Sequence, residues 1–167
     1  AGSLYRVDPN LSLVRMLPGV SISNGIGWSP DERLMYFVDT AMRRIDVFDF
    51  NISEGHISSQ RIFVNIPREA GLPDGMTVDA EGCVWVALYY GGQIRRYSPT
   101  GELLQTVKLP VSRVTSCTFG GPNMSDLYIT TARHASFRDG KPQEPFSGSI
   151  FRYRSNTRGL PAHTFTG

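Results

Sequence analysis

Cysteine, charge of a single sign, long apolar runs and helical stripes are all scarce in this chain of 167 residues. Only Cys83 and Cys117 are present, each inside a strand-like segment. That is too few for a disulfide scaffold and the wrong spacing for a zinc motif, so both read as buried free thiols. The thiols also fit a cytoplasmic location. No apolar run approaches the roughly 18 residues needed to span a bilayer as a helix. Seventeen Lys and Arg face 15 Asp and Glu, a net charge of +2, and the basic residues are scattered. Neither nucleic acid nor a membrane surface is therefore expected as a partner. His56, His134 and His163 are isolated, no serine sits in a nucleophile-elbow pattern, and Gly25-Ile26-Gly27 leads into a strand where a dinucleotide loop requires a helix.

What is abundant is the short alternating run, bounded by Pro, Gly, Asp and Asn. Leu34–Asp39 matches Cys83–Ala87 and Asp126–Thr130, and Arg44–Phe48 matches Gln93–Tyr97 and Ser149–Tyr153. The aromatic markers Tyr36, Trp85 and Tyr128 are 49 and 43 residues apart. Four short strands at that period are the signature of β-propeller blades rather than of a sandwich.

The expected fold is thus all-β, about three four-stranded blades of a propeller arranged as an open arc. Residues 1–20 read as the outer strands of a preceding blade, with successive blades over 21–70, 71–112 and 113–167. The first full blade is expected to contain Ile26–Ser29, strands from Leu34 and Arg44, and Arg61–Ile66. The second contains Met76–Asp79, Cys83–Leu88, Gln93–Tyr97 and Leu103–Leu109. The third contains Ser116–Phe119, Asp126–Thr131 and Ser149–Tyr153, a long loop over Ala132 to Gly148, and a doubtful fourth strand. A closed propeller needs at least four blades. The chain, which starts at Ala1 and runs directly into Leu4–Val7, therefore reads as part of a longer protein.

Two phrases carry the chemistry. Ser23-Asn24-Gly25 and Pro73-Asp74-Gly75 each precede a strand-like run, and Asn24 and Asp74 lie four residues before the matching apolar residues Trp28 and Val78. Equivalent places in a repeat architecture face the same way. An amide oxygen and a carboxylate would then converge, and two hard oxygen donors suit a divalent cation. Both phrases are also good turn formers. Thr115 stands at the same offset from Phe119, so its hydroxyl could reach the same channel or make a structural hydrogen bond. Tyr89 either borders the pocket mouth or packs in the core. Asp39, Asp49 and Asp79 recur at strand ends and read as capping turns.

These phrases, in this order, resemble the senescence-marker-protein/gluconolactonase family, which includes regucalcin. The resemblance is carried by Ser23-Asn24-Gly25 with Trp28-Ser29, Tyr36 to Thr40, Pro73 to Met76, Asp79 to Gly82, Trp85-Val86-Ala87, Phe119-Gly120-Gly121 and Thr130 to Arg133. It covers essentially the whole chain. It implies a six-bladed propeller with a metal in its central channel and an activity that opens sugar lactones such as gluconolactone. By the resemblance, Asn24 and Asp74 are metal ligands and Asp74 is also a catalytic proton acceptor. The ion is one divalent metal: calcium, zinc, manganese or magnesium. The family's third protein ligand, a Glu, and its substrate-gripping Arg and Asn have no counterpart here, so the chain resembles a C-terminal half. Its expected partners are a sugar lactone and either the missing N-terminal half of the propeller or another copy, met through open blade faces. Two other functions share the scaffold: a calcium-binding regulatory protein without turnover, and a hydrolase of other lactones or organophosphates.

Overall fold

The computed structural model describes residues 2–133 and 144–164. The loop expected over 132–148 falls largely outside the described residues, as does His134. Thirteen strands are described, in antiparallel sheets. β1 (Gly2–Val7) and β2 (Leu13–Val20) form a two-stranded ribbon. β3 (Ser23–Trp28), β4 (Leu34–Asp39), β5 (Arg44–Asn51) and β6 (His56–Asn65) form a four-stranded meander. β7 (Leu72–Val78), β8 (Val84–Tyr89), β9 (Gln93–Tyr97) and β10 (Leu103–Lys108) repeat it. β11 (Val114–Gly120), β12 (Asp126–Thr131) and β13 (Ile150–Arg154) form a third sheet, with no fourth strand among the described residues.

The sheets stack face to face as blades, and the arc is open. β8 shows why the strands read as unbroken apolar runs: Val84, Trp85, Val86, Ala87 and Leu88 are all fully buried. Val84, Val86 and Leu88 pack with Tyr36, Val38 and Ile45 of the first meander. Trp85 and Ala87 face the other way, onto Cys117, Phe119 and Leu127 of the third sheet. A strand sandwiched between two blades must be apolar on both faces. β4, the matching strand of the first meander, is buried in the same way, whereas one face of the inner strand β3 is less covered. Ile26 and Trp28 are about a third exposed. With Leu4, Met16 and Phe50 they line an apolar cleft of about 250 Å³.

Both cysteines are buried and free. Burial pushes the Cys117 thiol up to about 12, and burial also raises Cys83. Of the three strand-end aspartates, Asp39 accepts from the backbone N–H groups of Ser21 and Ile22, each at 2.9 Å, and caps a short 3₁₀ turn over Thr40–Met42. Asp79 is fully buried and accepts from the Cys83 N–H, the Trp85 indole N–H and the Arg96 guanidinium at 2.8–2.9 Å. Asp49 is no cap: it lies inside β5 and pairs across to Arg61 at 2.8 Å on the surface.

The first strand of each sheet starts earlier than the sequence reading placed it. Pro73-Asp74-Gly75 and Asn24-Gly25 lie inside β7 and β3 rather than ahead of them. The turn-forming chemistry there serves a bulge instead. Ladder register breaks between Ser23 and Ile26, between Pro73 and Met76, and between Val114 and Ser116. One bulge thus recurs at the same place in three successive inner strands, and a bulge re-aims a side chain that strict alternation would send elsewhere.

Candidate metal and active site

The bulges bring Asn24 and Asp74 together. The Asn24 side chain and the Gly75 backbone N–H lie close enough to the Asp74 carboxylate to favour its charged form. Asn24 Nδ2 donates to Thr40 Oγ1 at 3.1 Å, and Thr40 in turn donates to the Pro73 carbonyl at 2.8 Å. A buried hydroxyl therefore ties the two repeats beside the acid.

The close approach depends on glycine. A Cβ on Gly25 would lie 2.7 Å from the Asp74 carbonyl oxygen, and one on Gly75 would lie 2.2 Å from Ser116 Oγ and 2.8 Å from the Thr115 carbonyl oxygen. The residue after each candidate ligand is where the next inner strand passes, and only a residue without Cβ leaves room.

Burial raises the Asp74 pKa, opposed by the Asn24 side chain and the Gly75 N–H. Both opposing groups are neutral, so the half-buried carboxylate is held by dipoles alone. An acid in that state, beside an amide, is a donor pair fit for a divalent cation. Among the described residues, no group of three or more His, Cys, Asp or Glu is poised to hold a metal.

Thr115 sits on β11 at the third bulge, but its Oγ1 is 2.8 Å from Thr130 Oγ1, a cross-strand hydrogen bond. Tyr89 ends β8 and pairs with Leu72, two residues before Asp74. Burial raises its hydroxyl pKa, Arg113 opposes this, and the negative charge of Asp74 adds to the rise. Its ring packs edge-on against Tyr90 at 4.5 Å, and the Arg113 guanidinium lies 5.9 Å from the Tyr89 ring and 5.4 Å from the Tyr90 ring.

Thr40, Tyr90 and Arg113 were not singled out by the sequence reading. For Arg113 a signal exists. It stands two residues before Thr115, where Ile22 and Leu72 precede Asn24 and Asp74, so a cation replaces an apolar residue in the repeat. Tyr90 is adjacent to Tyr89, yet only the backbone shows it projecting outward. Thr40 is visible only once β3 and β7 are side by side.

Residues 1–133 match the family model described as the SMP-30/Gluconolactonase/LRE-like region. Regucalcin from Bos taurus is 41% identical over 168 residues, covering 99% of this chain and 56% of its own length; regucalcin from Homo sapiens is 40% identical with the same coverage. The chain thus spans little more than half the length of these relatives. Among solved structures, a calcium-binding protein, regucalcin, from Agrobacterium tumefaciens superposes with a TM-score of 0.87 at 29% identity, covering 95% of this chain and 54% of that one. A gluconolactonase from Xanthomonas campestris gives a TM-score of 0.66 at 32% identity, covering 77% and 41%.

Proposed function

Because this chain belongs to the SMP-30/gluconolactonase/LRE-like family, we propose that it carries two metal-holding residues and the proton acceptor of a lactonase that opens sugar lactones. The observation that carries the reading is the meeting of Asn24 with the half-buried carboxylate of Asp74 at matched bulges. Asn24 and Asp74 would hold one divalent ion, whether calcium, zinc, manganese or magnesium. When bound, the ion supplies polarisation of the lactone carbonyl and acidification of the attacking water.

The chain's own residues do the rest. Asp74 accepts a proton from water as its oxygen bonds to the carbonyl carbon. Its burial favours that role, because a raised pKa makes a better base. The ring C–O bond then breaks, the ring oxygen takes the proton, and the product is a hydroxy acid. Asn24, fixed by Thr40, orients the Asp74 carboxylate. The apolar face at Ile26 and Trp28 would be covered by further blades of a complete propeller.

The test uses full-length protein containing this chain. Asp74→Ala is expected to abolish hydrolysis of glucono-δ-lactone in the presence of divalent ions, while the thermal midpoint measured without added ions changes little. Near wild-type turnover would reject the role. A calcium-binding protein without turnover is the second reading, favoured by the name of the Agrobacterium neighbour. It predicts ion binding by calorimetry that Asp74→Ala removes, with no lactone opened by the unaltered protein.

A further inference from the structure

Building on the lactonase reading, we propose that Tyr89, Tyr90 and Arg113 form a binding platform for the hydroxyl-bearing part of the substrate. The three side chains form one continuous surface. Tyr89 is half-buried beside the start of β7, while Tyr90 is 59% exposed. Arg113 lies over both rings and is joined to Tyr89 by a backbone bridge. The cluster stands at the Asp74 end of the inner strands, because Tyr89 pairs with Leu72 and Arg113 immediately precedes β11.

The backbone supports a binding role. Tyr90 has φ 64°, a left-handed conformation that a bulky residue adopts only under constraint. The surrounding loop supplies it: the Gly91 N–H bonds to the Leu88 carbonyl and the Gly92 N–H to the Ser112 carbonyl, at 2.9 and 3.0 Å. A tyrosine held in a left-handed conformation with its ring mostly in solvent, against Tyr89 and Arg113, points to a task outside the fold.

Next to it lies an open cleft of about 370 Å³, lined by Tyr90, Lys108, Ser112 and Glu144 among others. Glu144 accepts from the Ser112 backbone and hydroxyl, and Arg113 helps hold its carboxylate below the ordinary range. Arg113 and Lys108 thus place cations, and Glu144 an anion, around the rings. An aromatic face edged by charged hydrogen-bond donors and acceptors suits the hydroxyls and C–H face of a polyol chain.

The experiment compares two lactones with the same six-membered ring: glucono-δ-lactone, which carries hydroxyls, and δ-valerolactone, which does not. The variants are Tyr90→Gly and Arg113→Gln in the full-length protein. Tyr90→Gly relieves the left-handed strain, so the melting temperature should hold or rise. Losing one aromatic contact should raise KM for gluconolactone about fivefold to tenfold, with KM for valerolactone unchanged. Arg113→Gln should follow the same pattern. Equal changes for both lactones, or none, would overturn the platform. Calorimetric titration with D-gluconate, the ring-opened acid, separates this inference from the lactonase reading. If neither lactone is hydrolysed but both variants weaken gluconate binding, the platform stands and the enzymatic reading falls. If gluconate affinity is the same in the unaltered protein and the variants, the platform is wrong.

Discussion

Replacing Gly25 with alanine tests how closely the inner strands govern the site. A Cβ there would meet the Asp74 carbonyl oxygen and Met76 Cγ at 2.7 Å, and the Met76 amide nitrogen at 2.9 Å. Ordinary contact begins near 3.4 Å, so β3 and β7 must part by about 0.7 Å, and two of the three atoms are backbone that cannot rotate away. Overpacking of this kind costs about 1–3 kcal/mol. Alanine also restricts the unfolded chain, which returns about 0.4–1 kcal/mol. The net loss should be about 1–2 kcal/mol, a fall in melting temperature of about 2–3 °C in a full-length protein nearly twice the length of this chain.

The same displacement separates Asn24 from Asp74, and a misplacement approaching 1 Å should reduce kcat/KM at least about tenfold. Gly27 is the control on the same strand. Its Cβ would meet only side-chain atoms, Val78 Cγ2 at 3.1 Å and the flexible end of Met76 at 3.7 Å. Gly27→Ala should therefore change stability by less than about 1 kcal/mol, with strain and chain entropy nearly cancelling. Both variants are compared in full-length protein by thermal melting and lactone hydrolysis. Equal stability and activity for the two would refute the account of close strand approach.

Two further outcomes follow from buried acids. Asp79→Ala leaves the Trp85 indole N–H, two backbone N–H groups and the Arg96 guanidinium without their shared acceptor. It should cost about 3–5 kcal/mol, read by urea denaturation; a loss under about 1 kcal/mol would contradict the central place given to this carboxylate. Asp74 works in the opposite direction. Its raised pKa means the folded protein holds that proton more tightly than the unfolded chain. Its contribution to stability is therefore present below the ordinary carboxylate range and is lost as pH rises through the folded value. Without divalent ions, Asp74→Asn should be at least as stable as the unaltered protein at neutral pH, with its advantage fading as pH falls below that range. With a binding ion at one hundred times its dissociation constant, the unaltered protein should gain about 2.7 kcal/mol. The variant should gain much less.

The sequence alone determined the repeat. Alternating runs, a recurring aromatic marker and two polar phrases at one offset made the blades and the pair Asn24 and Asp74 legible, because strand periodicity and repeat register are local properties of a chain. It placed those phrases ahead of their strands, since Pro-Asp-Gly and Ser-Asn-Gly form turns in isolation. Tertiary structure decided that they sit within β7 and β3 as bulges, held where a neighbouring blade's backbone passes against Gly25 and Gly75. It also decided that Thr115 pairs with Thr130, that Thr40 bridges two repeats, and that Arg113 covers Tyr89 and Tyr90. Such contacts join residues distant in the chain. They depend on how closely blades stack, a distance set by side-chain volumes on both facing sheets and by no single segment of sequence.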